Sequence, residues 1–439
     1  MRTPSQSRFA FDELPPELLV HIHSFLKDDR RTLFNAIRVS KTWFHQFIRY
    51  LWREPGFRAP LCVAKQGRRR QFYADMIRTF TLDCELAGLG SNSSPSPSSR
   101  RWKDFLSTCE MPYLEDLRIE SASPDELLCP LLRPSLLSIK LPSELSAPVI
   151  EALSSCSQLK HLVVEEDVEI SDLESFMNVI MKLPCLNSIE LGGDIFTSAK
   201  THRQEHIHTN KVFTRLLKHG RLTHLKLGKF LSESNAREIS NLLDDTLPGN
   251  EDLTSLCIGG HYAALDLLLA NTVISLRTLE ITVPGVYKDC DRDLCEDILR
   301  FTNLTELTLC MWPEQVLHSN DLTALTKMNH LQIFKLTSYW PDDLPRSSWI
   351  SDDFDAWISY FSELRELELL CKTSPSSGTS AVAAIGRSCP NLERCTLGWA
   401  QDLSTWTTLV SGTSVLFPKL KRLGVHNIDD EFEELHDFA

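Results

Sequence analysis

From about residue 72 onward the chain repeats one short arrangement of apolar and polar positions, L-x-x-L-x-L. Its first apolar positions are Leu114, Leu136, Leu159, Leu186, Leu222, Leu253, Leu276, Leu304, Leu331, Leu364, Leu392 and Leu420. Copies read LEDLRI, LNSIEL, LTHLKL, LTSLCI, LRTLEI, LTELTL and LRELEL, and IRTFTL from Ile77 is a candidate degenerate first copy. The mean spacing is about 28 residues, the period of arrays built from one strand and one connector per unit. Side chains alternate along a strand, so the fourth and sixth positions share a face, and the first anchors the turn leading in. One unit cannot bury that apolar edge alone. Stacking the next at about 4.8 Å creates a parallel sheet with a continuous core.

Parallel strands require crossovers, and the right-handed sense is favoured. The spacers supply them. Residues 172–183 carry apolar side chains at 173, 176, 177, 180 and 183, a helical stripe, and residues 235–247 and 291–301 behave alike. The expectation is an α/β fold: a curved solenoid of about 12 repeats with strands on the concave side.

Residues 11–54 follow a different period. Pro15 and Pro16 suit a helix start, where a missing N–H costs nothing. Leu18, Ile22, Phe25 and Leu26 then form one apolar stripe, and Leu33, Ala36 and Ile37 continue as a second short helix. Ser40 is a suitable N-cap for a third helix, with Trp43, Phe47 and Leu51 on one face and Phe44 and Trp52 adjacent. Three short helices cannot hide so many large apolar groups, so the surplus meets the solenoid or another protein.

Two resemblances follow from these residues. Leu14-Pro15, Glu17, Leu18, Ile22 and Leu26, then Val39-Ser40-Lys41-x-Trp43, then Leu51-Trp52-Arg53 match the F-box pattern in order and spacing. The array resembles the long, irregular leucine-rich repeats found behind F-box domains. It departs at the ninth position, often Asn or Cys in such repeats and here Asp167, Asp194, Phe230, His261, Trp312 and Tyr339. The F-box resemblance implies docking on the Skp-type linker of a cullin–RING ubiquitin ligase, with Leu14, Pro15, Leu18, Ile22, Val39, Trp43, Leu51 and Trp52 at or beneath that interface. For Ile22, Ile37 and Phe47 a place in the module's own core is the preferred reading. For Leu14 and Pro15 it is contact.

The implied organisation is a disordered tail (1–10), an F-box (11–54), a connector (55–100) with a flexible Ser/Pro stretch at 90–99 (GSNSSPSPSS), and a repeat domain (101–439).

Composition is that of a folded soluble protein, 42% apolar and 24% charged, and no apolar run reaches the ~20 residues of a membrane span. Residues 1–11 lack the apolar core of a signal peptide, so cytoplasm and/or nucleus is expected. The net charge of −13 is unevenly spread. Residues 1–70 hold 14 Lys+Arg against 6 Asp+Glu, or +8, and the remainder holds 32 against 53, or −21. An acidic body repels phosphate polymers, which argues against a nucleic-acid partner. The basic head suits an acidic partner. The 13 cysteines form no CxxC pair and read as reduced, buried thiols, with no metal or cofactor implied.

Catalytic motifs are absent from the sequence: no GxSxG, no Walker loop, no GxGxxG opening a helix. His202, His206 and His208 share a polar spacer and read as an exposed cluster rather than a metal site. The candidate target-binding surface is the strand face, through Arg118, Lys226, Glu280, Lys335, Glu368, Trp340 and Trp399, while Trp312 and Tyr339 are expected to point inward. The leading expectation is therefore a non-catalytic substrate receptor of an SCF-type ligase, with the Skp-type linker, a cullin beyond it and a target protein as partners. The rivals are a scaffold whose F-box-like helices merely cap the solenoid, and an enzyme built on the histidines.

Overall fold

The computed structural model describes residues 14–26, 29–56, 59, 68–83, 97–120, 125–141, 144–164, 169–170, 173–192, 214–217, 219–231, 252–260, 265, 269, 275–283, 298–312, 316–317, 323–338, 346–347, 351–371, 378–398, 417–425 and 433–435. The chain divides into two compact units, Met1–Leu186 and Asn187–Ala439.

The first unit opens with three helices, α1 (Pro16–Leu26), α2 (Arg30–Ala36) and α3 (Lys41–Arg53). Each start has a local cause. Proline occupies the first position of α1, where no N–H is needed. The Asp29 carboxylate caps α2 by accepting from the backbone N–H of Arg31 and Thr32, both at 3.0 Å. Ser40 Oγ caps α3 by accepting from Trp43 N–H at 3.2 Å. Leu33, Ala36 and Phe47 form the buried centre, with Ile22, Leu26, Trp43 and Leu51 packed around it. Ser40→Ala is expected to cost about 1 kcal/mol of stability, read from the urea unfolding midpoint.

Helices α4 (Arg68–Ala74) and α5 (Pro97–Thr108) follow. Helix α5 takes in residues 97–99, the end of the Ser/Pro stretch read from sequence as flexible. Proline at its first position explains why it starts there. Trp102, Phe105 and Leu106 bury its inner face.

The strands of this unit are β1 (Thr79–Leu82), β2 (Asp116–Ile119), β3 (Ser138–Leu141), β4 (Glu144–Leu145), β5 (His161–Val164) and β6 (Glu169–Ile170). β1, β2, β3 and β5 lie side by side and parallel, and β4 pairs only with β6. In the second unit β7 (Ser188–Leu191), β8 (His224–Leu231), β9 (Ser255–Gly260), β10 (Thr278–Val283) and β11 (Glu306–Met311) run parallel in order. Short β12 (Val316–Leu317) and β14 (Arg346–Ser347) pair with each other, so β13 (Ile333–Ser338) continues the main sheet. It is followed by β15 (Glu366–Leu369), β16 (Arg394–Leu397) and β17 (Arg422–Val425), with β18 (Glu433–Leu435) antiparallel at the end.

The strand of each repeat copy begins two residues past the copy's first apolar position, as in Leu276 before β10 and Leu304 before β11. The degenerate copy at Ile77 obeys the same rule and forms β1, with Ile77, Phe80 and Leu82 buried. Fourth positions stand in register: Leu225, Leu256, Leu279, Leu307, Phe334 and Leu367 make one buried row. The result is a repetitive parallel-strand solenoid of the leucine-rich-repeat type. The turns are knit by main chain. The N–H groups of the second and third positions both donate to the second-position carbonyl of the copy before, as Arg277 and Thr278 do to Thr254 at 2.8 and 3.0 Å. In the first unit Lys160 and His161 do the same to Leu137.

The spacer read as helical at 172–183 is a helix over Leu173–Ile180, with Phe176, Met177, Ile180 and Leu183 buried. The spacer 235–247 lies outside the described residues, as does 291–301 before residue 298. Helices at Ser351–Ile358 and Gly378–Ser388 back the sheet of the second unit. Trp357 sits between Phe334, Phe354 and Phe361, with ring centroids 5.6, 5.7 and 4.9 Å away. Of the ninth positions, Trp312 is half-buried just past β11, and Phe230 pairs with Gly259 beyond a register shift in β8. Asp167, Asp194, His261 and Tyr339 lie outside the described residues.

Candidate protein-interaction surfaces

Two surfaces collect the side chains that the sequence singles out. The first is the helical head. A helix advances 100° per residue, so Ile22 and Leu26 lie about 40° and 80° round α1 from Leu18, and Phe25 about 20° the other way. The core takes only the Ile22–Leu26 part of that stripe. Leu18 stays 47% exposed and Phe25 74%, together with Phe34 at 51% and Val39 at 61%. Leu18 and Phe25 thus lie outside the buried part of the one apolar stripe that periodicity predicts: the stripe is wider than the groove that receives it. Pro15 is exposed, and Leu14, Trp43 and Leu51 are half-buried against the module's core.

Trp52 goes the other way. It is buried with Ile48, its ring 4.5 Å from that of Tyr73, and Met76 packs beside it. The Arg53 carbonyl accepts from Arg78 N–H at 2.8 Å, one residue before β1. The head is thereby joined to the start of the first strand through the end of α3.

The second surface is the outward strand face, third and fifth positions of each copy. In the first unit Arg118 pairs with Asp116 at 2.9 Å and Lys140 with Glu120 at 3.5 Å. In the second unit Lys226 pairs with Glu190 at 2.7 Å, which holds its amine above the ordinary lysine value. Lys335 reaches Glu366 at 2.6 Å and Glu368 at 3.7 Å, and Arg394 also binds Glu366. Between these groups the face is lined by small side chains, Cys257, Thr308 and Cys310, with half-buried Glu280 among them. Trp340 and Trp399 lie outside the described residues. Register sets these pairings. Glu190 stands opposite Lys226, and Lys335 opposite Glu368. The sequence shows alternating charge but not which charges neutralise one another.

Burial alone would push the Glu366 carboxyl upward, but Lys335 and Arg394 outweigh it and hold it below its ordinary value. A depressed carboxylate stabilises the fold above its unfolded value and loses that contribution as pH falls through the folded one. The melting temperature is therefore expected to drop on acidification below about pH 4.5, and Glu366→Gln is expected to flatten that segment of the curve in calorimetric scans.

The described cysteines are free. Cys156 and Cys389 are pushed up to about 12 by burial, so both remain thiols and act as small apolar fillers. Among the described residues no group of three His, Cys, Asp or Glu side chains is placed to hold a metal ion. His202, His206 and His208 lie outside them. No helix among the described residues is long and apolar enough to cross a membrane.

Residues 11–58 match the F-box-like family. The chain carries an N-terminal F-box-like domain. Among solved structures, the leucine-rich repeat-containing protein LegL7 from Legionella pneumophila aligns over 68% of this chain and 97% of its own, with 14% identity and a TM-score of 0.38. No curated protein matches. An F-box-like domain ahead of a parallel-strand repeat array is the architecture of a protein-interaction scaffold.

Proposed function

We propose that this protein is the substrate-recognition subunit of an SCF-type ubiquitin ligase, its F-box-like domain docking on a Skp-type linker and its strand face holding a target protein. One observation carries the reading. The F-box-like helices complete a core of their own and still leave Leu18, Phe25, Phe34 and Val39 open to solvent. Several large apolar side chains left exposed on a small module are the mark of a docking surface. Leu14, Pro15, Ile22, Trp43 and Leu51 support that surface from beneath or at its rim, and Trp52 fixes the module to the repeats. Such a subunit performs no chemistry. It raises the local concentration of a target beside a ubiquitin-loaded enzyme held elsewhere on the cullin scaffold.

On the strand face, Arg118, Lys226, Glu280, Lys335, Glu368, Trp340 and Trp399 are the candidate target contacts. Charges already paired across neighbouring strands favour recognition by shape and exchangeable hydrogen bonds over attraction to a single-sign partner. The test is direct binding of the purified full chain to a purified Skp-type linker. A stable complex is expected, and no detectable association at about 10 μM of each would retire the proposal.

A second reading draws on Trp52 and the Arg78-to-Arg53 hydrogen bond. Here the same helices serve as the end cap that an open array requires. Under it the protein binds its target but no linker, and deleting residues 14–54 would lower stability without removing any partner.

A further inference from the structure

Four successive copies of the second unit meet along the edge where the chain enters its strands. Thr254, Arg277, Thr305 and Gln332 hold the second position of these copies, and Ser275 and Asn303 precede the leucines that open two of them. Together these six residues line an open cleft of about 570 Å³. Among the described residues no carboxylate lines it, and Arg277 enters none of the unit's ion pairs. Elsewhere in the unit Lys226, Lys335, Arg387, Arg394 and Lys421 each reach a carboxylate. Glu306, next along the chain from Thr305, instead accepts from Thr278 Oγ1 at 3.2 Å.

The walls are held by main chain and by hydroxyls. The Arg277 N–H donates to the Thr254 carbonyl at 2.8 Å, and the Arg277 carbonyl accepts from the N–H groups of Thr305 and Glu306, both at 2.9 Å. The Thr305 carbonyl in turn accepts from Gln332 N–H at 2.8 Å. Thr254 Oγ1 donates to the Thr223 carbonyl at 3.1 Å, Ser275 Oγ to the Leu253 carbonyl at 2.9 Å, and Thr305 Oγ1 to the Arg277 carbonyl at 3.2 Å. Each hydroxyl has thereby committed its one hydrogen and keeps only acceptor capacity. The cleft offers one guanidinium fork, the side-chain amides of Asn303 and Gln332, which both donate and accept, and three acceptor oxygens.

We propose that this cleft binds the C-terminal carboxylate of a partner protein. A terminal carboxylate is planar and takes one guanidinium fork in two parallel hydrogen bonds. The peptide N–H groups just before it suit the acceptor oxygens, and their carbonyls suit the two amides. A ligand made of acceptors alone, such as a phosphate group, would meet three oxygens with no hydrogen to give. A run of acidic side chains would find a single fork on a body, residues 71–439, that already carries −21. The cleft is separate from the strand-face contacts proposed above, since none of Lys226, Glu280, Lys335 or Glu368 lines it. Its ligand is independent of whether the head docks on a linker.

The experiment uses the full chain and three probes in titration calorimetry: an acetylated tetra-alanine ending in a free carboxylate, the same peptide ending in a carboxamide, and an amidated counterpart with one internal aspartate. The free acid is expected to bind about tenfold tighter than the carboxamide and about fivefold tighter than the aspartate peptide. Arg277→Gln is expected to bring the free acid down to the level of the carboxamide, whereas Arg387→Gln, on the helix Gly378–Ser388 behind the sheet, leaves the preference unchanged. Both arginines are exposed, and an unchanged melting temperature separates loss of binding from loss of fold. Equal affinity for acid and carboxamide in the unaltered chain, an aspartate peptide as tight as the free acid, an equal loss in Arg387→Gln, or no heat at about 5 mM free acid would each overturn the proposal.

Discussion

Replacing Leu18 and Val39 together with aspartate is expected to weaken binding of a purified Skp-type linker about a hundredfold or more, roughly 2.7 kcal/mol, while leaving the fold intact. Both side chains are about half exposed or more in the free chain, so charging them costs the folded state little. In a complex the same positions would be stripped of water, and two buried, unpaired carboxylates would oppose it strongly. The measurement is calorimetric affinity with circular dichroism as the control for folding. Phe47→Ala supplies the contrast. Phe47 is buried at the centre of the head, so its loss should abolish linker binding together with the head's share of the helical signal. Full affinity in the Leu18/Val39 variant would place the docking surface elsewhere.

The second large effect lies in the repeats. Phe334→Ala is expected to cost about 3–5 kcal/mol, a large share of the ~5–15 kcal/mol by which an ordinary domain is stable. Phe334 occupies the fourth position of its copy, between Leu307 and Leu367 in register, and its ring meets Trp357. Trp357 in turn meets Phe354 and Phe361, so the vacated space is walled by rigid rings that cannot close over it. Units in an array lean mainly on their neighbours. Hydrogen exchange should therefore accelerate first in β11, β13 and β15 and least in the F-box-like helices. Lys335→Ala, the next residue on the opposite face, loses half-buried ion pairs to Glu366 and Glu368 while Arg394 still holds Glu366, and is expected to cost only about 1 kcal/mol.

Much of this architecture was legible because its rule is spatially simple. A leucine every 28 residues or so can serve a stacked core in one way only, and the structure places a strand from the third position of each copy onward. Even Ile77, with two substitutions away from leucine in its motif, keeps the rule, because β1 needs buried apolar groups rather than leucine in particular. The head was legible as helices from Pro16 and Ser40. It was less legible as surface. Periodicity assigns Leu18, Ile22, Phe25 and Leu26 to one stripe, yet which portion meets a neighbour depends on how α2 and α3 approach. The interplay of charges on the strand face was hidden for a similar reason. Glu366 sits between Lys335 and Arg394 only because two spacers of different length bring β13 and β16 to its sides.

The rungs that join successive turns are made of peptide groups. Within each unit a copy presents two donors to one oxygen of the copy before, whatever side chains it bears. Leu137, Thr254 and Arg277 fill that role equally well. A whole copy, strand and connector together, is therefore an exchangeable part. Its duplication or loss leaves the flanking copies facing the same donors and the same oxygen, whereas one residue inserted inside the six-residue segment turns its leucines to the solvent side. Lineages descended from such a gene are free to lengthen or shorten by whole copies or within the connectors, and are closed to steps inside the six-residue segment.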